Sequence, residues 1–143
     1  WDWKGTLDQE GGKGLFPDTE RVLKTLQSNH KMALISKVRS NIPIQQRLDE
    51  IEKVRKYLRF VIADYDKNSE QFVECMKRLE VKPENTLCVD DRMDRGIQIG
   101  NSLGCQTAWI KTGRWSYIAP NAETGEPTYK INSVGDVLDI LQK

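Results

Sequence analysis

The sequence contains no apolar run long enough to span a bilayer and no signal-peptide pattern. It also has no internal repeat and no low-complexity segment, which excludes a repeat architecture. Cysteine is scarce: only Cys75, Cys88 and Cys105 occur, widely spaced and in apolar surroundings. An odd number of such residues favours reduced core thiols over a disulfide framework or a zinc site. We therefore expect a cytoplasmic protein that does not associate with membranes.

The sequence also lacks an excess of charge of either sign. Lysine and arginine number 22 against 21 aspartate and glutamate residues, which gives a formal net charge of +1. This balance argues against a dedicated nucleic-acid surface. The 143 residues and their ordinary composition suit one core, so we predict a single domain over residues 1–143.

The P-loop pattern G-x-x-x-x-G-K-[ST], which cradles nucleotide phosphates, does not occur in the sequence. The segment 8–14 is nevertheless rich in glycine and polar residues. Such segments form turns and loops. We therefore interpret this segment as a mobile flap that covers about residues 8–16.

Short apolar runs alternate along the chain with segments of helical periodicity. Buried strands are predicted at 32–35, 60–63, 87–89 and 107–110. Helices are predicted to begin near Pro17 and Asn68, to span 42–58 and 92–103, and to close the chain after a loop-rich stretch at 111–130. This alternation predicts an α/β fold with a doubly wound parallel sheet of about five strands and helices on both faces.

The predicted helix 42–58 carries a run of charged residues on the face opposite its apolar stripe. We predict that this face is solvated and is not a binding patch. The charged residues on it are Asp49, Glu50, Glu52, Lys53, Arg55 and Lys56.

Polar residues stand where predicted strands end or predicted helices begin. Ser36 and the pair Asp90 and Asp91 each follow an apolar strand, and Lys67 precedes a helix. In a doubly wound sheet, such positions converge at the crevice beyond the carboxyl ends of the strands. We therefore expect these side chains to gather around Asp2, in the opening stretch of the chain.

Together these residues have the chemistry of phosphoryl transfer. Asp2 is a candidate covalent nucleophile, and Asp2 with Asp91 could share one Mg²⁺, which prefers carboxylate oxygens. Ser36 could donate a hydrogen bond to a phosphoryl oxygen, and Lys67 could place a positive charge beside the phosphate. Each also has a structural alternative: a strand-ending hydroxyl for Ser36, a surface lysine for Lys67, and a helix-start acid for Asp94.

In this order and spacing, the motifs resemble those of the haloacid dehalogenase-like (HAD) phosphohydrolase superfamily. The opening D-W-K-G-T-L at 2–7 is similar to the family's D-x-D-G-T-L, and Ser36 matches its hydroxyl after an apolar strand. Lys67 before a helix matches the third motif, and the acidic run V-D-D-R-M-D at 89–94 matches the fourth. The motifs are specific jointly and cover nearly the whole chain.

The resemblance implies a Rossmann-like core and a Mg²⁺-dependent phosphohydrolase that acts on a phosphorylated substrate through an aspartyl-phosphate. The Mg²⁺ ligands that it implies are Asp2, the backbone carbonyl of Lys4, and Asp91, with Asp90 or Asp94 helping through water. Phosphate binding is implied for Ser36, Lys37 and Lys67. Catalytic roles are implied for Asp2, Lys4, Ser36 and Lys67.

Only one helix and one strand are predicted between Ser36 and Lys67, and a flap and one helix follow the first motif. The chain therefore resembles the members of the family that have no cap domain. Such members tend to accept large phosphorylated substrates or to close the site by oligomerising. The resemblance thus allows a homo-oligomer.

Lys4 departs from the family pattern, which has Asp at this position as general acid and base. An ammonium group cannot act as that base unless its pKa is strongly lowered. A general acid or base is typically worth about a hundred- to ten-thousandfold in rate. Lys4 therefore predicts slow hydrolysis or, as the alternative, a weak or inactive domain that binds phosphorylated partners or serves as an assembly module.

Only Trp1 precedes Asp2 in the sequence, although the central strand of the family lies there. A sheet without its central strand would leave backbone groups unpaired. We expect residues upstream of Trp1 to complete the strand, with another segment in that position as the alternative.

A phospho-acceptor receiver domain shares the α/β alternation and also uses Asp, Ser or Thr, and Lys. Its acid pair follows the first strand and its Lys comes late in the chain. Here the pair Asp90 and Asp91 comes after Lys67, so the order of the motifs argues against this class.

Overall fold

A computed structural model describes residues 1–142 of the chain. Over this range the chain forms five β-strands and five α-helices, with short 3₁₀ segments between them. The strands are β1 Ala33–Lys37, β2 Phe60–Asp64, β3 Leu87–Asp90, β4 Gln106–Ile110 and β5 Tyr129–Ile131. The α-helices are α1 Thr19–Leu26, α2 Ile44–Ile51, α3 Ser69–Leu79, α4 Gln98–Leu103 and α5 Asp136–Leu141. The predicted α/β alternation is confirmed.

All strand pairs are parallel: β1 pairs with β2, and β4 pairs with both β3 and β5. The backbone of Trp1 and Asp2 lies between the two ladders. The Trp1 nitrogen donates to Ala33 O at 2.9 Å and the Trp1 carbonyl accepts from Ile35 N at 2.9 Å, whereas Asp2 N donates to Val89 O at 3.0 Å. Trp1 and Asp2 therefore occupy the central position of one continuous sheet. That upstream residues extend this strand stays a prediction.

Helices cover both faces of the sheet. Successive side chains of a strand point to opposite faces, and Leu34 and Ile35 of β1 accordingly belong to two different hydrophobic clusters. One cluster includes the apolar sides of α1 and α5, and the other includes that of α3. No helix within residues 1–142 is long and apolar enough to cross a membrane.

The start of α3 is fixed by a capping box. The Asn68 side chain accepts from Gln71 N at 3.2 Å, and Asn68 N donates to the Gln71 side chain at 3.1 Å. Such a box satisfies two donors that a helix start leaves unpaired, and a capping side chain is typically worth about 1 kcal/mol. It also holds the preceding residue, Lys67, in a defined position.

Three elements differ from the sequence-based prediction. The helix predicted at 42–58 is α2 followed by a 3₁₀ segment, Glu52–Tyr57. The helical stretch after β3 opens with a π-helical turn, Met93–Ile97, before α4 begins. Strand β5 begins within the stretch predicted to be loop. Its three residues, two of them exposed, are too few to show an alternating apolar pattern, so the sequence does not predict this strand.

Candidate active site

The carboxylate of Asp2 is held from two sides. Its Oδ1 accepts from Lys67 Nζ at 2.9 Å, and its Oδ2 accepts from Thr6 Oγ1 at 2.9 Å. Burial alone would raise the pKa of Asp2, but the charge and hydrogen bond of Lys67 outweigh burial, so this pKa is lowered. Asp2 is therefore ionised at neutral pH, which is the form that a carboxylate nucleophile needs.

Lys67 links Asp2 to the end of β3. Its side chain is only 3% exposed, and Nζ also donates to Asp90 Oδ2 at 3.0 Å. Burial disfavours the ammonium form, yet the two carboxylates outweigh burial and the pKa of Lys67 is raised. Lys67 therefore stays charged throughout the neutral range.

The backbone turns sharply after Asp2. Three N–H groups within residues 6–8 donate to the Trp3 carbonyl at 2.9–3.2 Å. Gly5 adopts a φ of +82°, which residues with a side chain rarely take. A Cβ at Gly5 would also overlap the carboxylate of Asp91. Glycine at this position thus permits both the turn and the close approach of Asp91.

Asp90 and Asp91 are adjacent in the chain and both almost fully buried, but their surroundings differ. Asp90 accepts hydrogen bonds at 2.9–3.0 Å from Arg92 N, Gly96 N and Lys67 Nζ. Oδ2 of Asp91, by contrast, has no hydrogen-bond partner among residues 1–142. A buried carboxylate oxygen without a donor is costly unless a cation binds it.

Asp2, Asp90 and Asp91 form what we call the acidic group, because one carboxylate oxygen of each lies within 4.8 Å of the others. Burial, together with the charges of Asp2 and Asp90, raises the pKa of Asp91 to about 10. Burial and then the charge of Asp2 also raise the pKa of Asp90. One ammonium, that of Lys67, does not balance three carboxylates. These residues therefore suit a small divalent cation that prefers oxygen ligands, such as Mg²⁺.

Ser36 lies in β1 and is 1% exposed. Its Oγ accepts a hydrogen bond from Nη1 of Arg47 at 2.6 Å, and the same nitrogen donates to Lys37 O at 3.2 Å. A hydroxyl group has one proton to donate and two lone pairs. Because Arg47 occupies a lone pair of Ser36, the hydroxyl proton remains free to point into the site.

Sequence analysis missed Arg47, which is 6% exposed on α2. The signal was present, because Arg47 lies four residues before Ile51 and seven before Val54, both of them buried. Residues at this spacing share one face of a helix. A charged residue on an apolar face is costly to bury and therefore has a partner, which here is Ser36.

Lys4 is bound by two carboxylates. Its Nζ lies 2.6 Å from Asp8 Oδ2 and 3.3 Å from Glu50 Oε2, and Lys53 Nζ lies 3.5 Å from Asp8 Oδ1. We call Lys4, Asp8, Glu50 and Lys53 the Lys4 network. The prediction that the charged face of helix 42–58 is solvated is thus wrong for Glu50, which is half-buried against Lys4. Lys53 is exposed as predicted, although its Nζ also reaches Asp8.

A cavity of about 460 Å³ opens over these groups. It is lined by the acidic group, Lys67, Ser36 and Arg47, and by Lys4 and Glu50 of the Lys4 network. The exposed Lys37, predicted to bind phosphate, also lines it. Glu10 and Gly11 of the predicted flap lie at the cavity, as does Trp115. The structure thus gathers the predicted residues in one place, apart from Asp94.

Asp94 lies outside the acidic group and outside the cavity lining. Its two carboxylate oxygens accept from Arg92 Nε at 2.9 Å and Arg92 Nη2 at 2.7 Å, and its side chain is 38% exposed. The Arg92 charge and hydrogen bonds outweigh the small effect of burial and lower the pKa of Asp94. Arg92 thus engages both oxygens of Asp94, and the implied role of Asp94 toward Mg²⁺ through water stays a prediction.

Fold and site define an α/β protein with a carboxylate-based candidate active site at the carboxyl edge of a parallel sheet. A family model described as haloacid dehalogenase-like hydrolase matches residues 5–104. The chain belongs to this family, and the prediction of a hydrolase is confirmed at that level. Asp2 and Lys4 precede the matched residues, so their roles depend on the geometry described above.

One curated relative shares 32% identity over 76 residues, the glyceraldehyde 3-phosphate phosphatase of Methanopyrus kandleri. The match covers 53% of this chain but 33% of that protein. The chain therefore spans about a third of the length of this curated relative.

Solved structures share the fold at low identity. An uncharacterised protein from Listeria monocytogenes serotype 4b has a TM-score of 0.77 at 15% identity, covering 99% of this chain and 94% of that one. The HAD-hydrolase YfnB from Bacillus subtilis, solved with bound magnesium, has a TM-score of 0.74 at 17% identity, covering 91% and 57%. A predicted phosphoglycolate phosphatase from Haemophilus somnus 129PT has a TM-score of 0.72 at 18% identity, covering 88% and 56%.

Proposed function

We propose that the chain is a Mg²⁺-dependent phosphohydrolase that acts through an aspartyl-phosphate on Asp2. The observation that carries this proposal is the position of the Asp2 carboxylate. It contacts the buried ammonium of Lys67 and lies in the acidic group with Asp91, whose Oδ2 has no hydrogen-bond partner within residues 1–142. Phosphoryl transfer depends mainly on positioning and on stabilisation of charge, and these groups supply both. The phosphatases among the relatives support the same class of reaction.

Asp2 and Asp91 would hold the ion, with the backbone carbonyl of Lys4 as a further ligand. Asp90 would not be a direct ligand, because its oxygens already accept hydrogen bonds from three donors; it would help to hold the ion through water. When bound, Mg²⁺ would screen the repulsion between the carboxylate nucleophile and an anionic phosphate.

In the first step, an oxygen of Asp2 would form a bond to phosphorus while the bond from phosphorus to the substrate oxygen breaks, and the leaving oxygen would take a proton from solvent water. Ser36, with Arg47 on its lone pair, would donate a hydrogen bond to a phosphoryl oxygen, and Lys67 would stabilise the negative charge. In the second step, water would attack phosphorus and release Asp2. One water is consumed, and the products are an alcohol and inorganic phosphate.

Lys4 weakens the acid and base chemistry of this scheme. Its ammonium is paired with Asp8 and Glu50, so it is held in place with its charge largely balanced. No group at this position can then take a proton from the attacking water, and turnover would be slow. This pairing favours the second candidate function, a domain with little or no turnover that binds phosphorylated partners or serves as an assembly module.

Four further expectations belong to the proposal. The chain would act as one domain over residues 1–143 without a cap, so that its cavity accepts a large phosphorylated substrate. The segment 8–16 would act as the flap; in it, Asp8 forms a single antiparallel bridge with Leu15. A homo-oligomer would close the open cavity. The three free cysteines, all buried, suit a reducing, cytoplasmic compartment.

The test is hydrolysis of an aryl phosphate by the purified protein with Mg²⁺ and with a chelator. We expect slow Mg²⁺-dependent release of phosphate that falls at least about a thousandfold in Asp2→Asn, because the nucleophile is removed. Asp139→Asn, an exposed acid on α5, is the matched control.

A second arm restores an acid at position 4. The double variant Lys4→Asp/Asp8→Asn avoids two adjacent carboxylates and should hydrolyse the aryl phosphate about a hundredfold faster. Absence of Mg²⁺-dependent turnover in both the unmodified protein and this variant would reject the phosphohydrolase and leave the binding domain.

A further inference from the structure

We infer that the mouth of the cavity binds a second anionic group of the substrate. The preferred substrates would then be phosphomonoesters whose alcohol part carries a carboxylate or another phosphate. This inference rests on the proposed function and deepens it, because it names the substrate class of the same site.

The cavity concentrates positive charge. Eight of the side chains that line it are lysine or arginine, and five are aspartate or glutamate. The whole chain, by contrast, has a formal net charge of +1. A cleft lined by charge of one sign attracts ligands of the opposite sign. Cations still outnumber acids around this cavity when Asp8 and Asp94, which pair with Lys4 and Arg92 from outside the lining, are included. This surplus favours an anionic ligand.

Most of these cations already have acidic partners. Lys4 and Arg47 bind Glu50, and Lys67 binds the acidic group. At the mouth, Arg92 is paired with Asp94, and Arg114 lies 3.5 Å from Glu10. These five cations therefore bring no uncompensated charge to the cavity.

Three cations of the lining remain: Lys37, Arg39 and Arg95. Within residues 1–142, none of the three forms an ion pair. Lys37 and Arg39 are exposed and Arg95 is half-buried. Cations without an ion-pair partner around one cavity repel one another, and an anion bound among them would relieve that repulsion.

These cations stand on both sides of Asp2. Lys37 ends β1 and Arg39 follows it, whereas Arg95 lies in the π-helical turn after β3. The segment that carries Asp2 lies between β1 and β3. A phosphoryl group on Asp2 would take its contacts from Ser36 and Lys67, so Arg39 and Arg95 are left for a group farther along the substrate.

The experiment compares esters that differ only in the second anion. 3-Phosphoglycerate is paired with glycerol 3-phosphate, and propane-1,3-diol bisphosphate is paired with the corresponding monophosphate. We expect kcat/KM to be about tenfold higher for each doubly anionic ester, and the preference to shrink at high salt because the mouth is open to solvent. A preference for one pair alone identifies the second group as carboxylate or phosphate.

The double variant Arg39→Gln/Arg95→Gln should lose most of this preference, whereas Lys24→Gln, an exposed cation on α1, should keep it. Thermal unfolding of both variants checks that they fold. Equal kcat/KM values within each pair, or a preference that survives in the double variant, would overturn the inference.

A binding arm separates this inference from the proposed function. Calorimetry of the same four esters with Asp2→Asn and Mg²⁺ measures the preference without turnover. If no ester is hydrolysed but the doubly anionic ones still bind about tenfold more tightly, the phosphohydrolase fails and the second-anion site stands. If esters are hydrolysed without any preference in rate or binding, the phosphohydrolase stands and the second-anion site fails.

Discussion

The acidic group and the Lys4 network meet at one cavity but differ in how their charges are balanced. In the Lys4 network, Asp8 is bound by Lys4 and Lys53, and Glu50 by Lys4 and Arg47. In the acidic group, the ammonium of Lys67 contacts only two of the three carboxylates, those of Asp2 and Asp90, and a buried oxygen of Asp91 has no donor within residues 1–142. The charges of the Lys4 network are thus satisfied within the chain, whereas the unsatisfied buried carboxylate of the acidic group indicates a ligand.

The largest effect is expected from Asp91→Asn. Loss of this charged ligand should weaken Mg²⁺ binding about a hundredfold, as measured by calorimetric titration. In a chelator, the same variant should be more stable to denaturant by at least about 1 kcal/mol, because burial and the charges of Asp2 and Asp90 force the folded protein to hold Asp91 protonated, and the neutral amide removes that cost. A variant that binds Mg²⁺ normally would contradict the assignment of Asp91 as a ligand.

Asp90→Asn is the matched comparison, because Asp90 lies beside Asp91 and is equally buried. It should lose about 2–3 kcal/mol of unfolding free energy even in a chelator, since its carboxylate accepts from Arg92 N, Gly96 N and Lys67. The two variants should thus move metal-free stability in opposite directions. A change of the same sign in both would remove the distinction between them.

The sequence predicts this group because strand ends are visible in it. Asp90, Asp91 and Ser36 follow apolar runs, and parallel strands bring such ends to one edge. Asp94 is different: its spacing matches the motif, but Arg92 lies two residues away and binds both of its oxygens. Which of two nearby acids pairs with a cation depends on side-chain geometry that spacing alone does not determine.

The Lys4 network and Arg47 could be predicted only in part. Asp8 and Lys53 are 45 residues apart in the chain, and their contact depends on how the helical segment after β1 docks on the first turn. Sequence periodicity gives the apolar face of that segment but not the partners of its charges. Arg47 alone carried a signal, since it falls on the buried face with Ile51 and Val54.

The next largest effect is expected at Gly5, whose backbone lies directly against the carboxylate of Asp91. Gly5→Ala should cost about 2–3 kcal/mol, because its φ of +82° strains a side chain and because a Cβ there would displace Asp91. Mg²⁺ binding should weaken with it. Denaturant unfolding and Mg²⁺ titration measure the two effects.

Gly14→Ala is the control for backbone strain. Gly14 has a φ of +86°, but a Cβ there would meet no atom within 4 Å. We expect it to cost about 1 kcal/mol and to leave Mg²⁺ binding unchanged. Equal effects of the two substitutions on Mg²⁺ binding would mean that the contact with Asp91 does not matter.

A smaller effect is expected within the Lys4 network. Lys4→Met should lower the unfolding free energy by about 1–2 kcal/mol, because Asp8 is 2% exposed and would keep, within residues 1–142, only Lys53 as an ion-pair partner, at 3.5 Å. The double variant Lys4→Met/Asp8→Asn should recover most of that loss. If Asp8→Asn instead lowers the unfolding free energy further in the Lys4→Met background, the ion pair between Lys4 and Asp8 does not couple the two residues energetically.

The smallest effect tests Arg47 as a positioning residue for Ser36. Arg47→Lys keeps the charge but loses the planar donor that reaches both Ser36 Oγ and Lys37 O. We expect KM for a phosphomonoester to rise about fivefold, or roughly 1 kcal/mol, with a smaller change in kcat, because the hydroxyl becomes less well oriented toward the phosphate. Arg78→Lys, on an exposed face of α3, is the control and should change neither constant.

A fall in kcat without a rise in KM would instead assign Arg47 to a step after binding. An unchanged KM with lower stability would mean that Arg47 forms only a structural ion pair with Glu50.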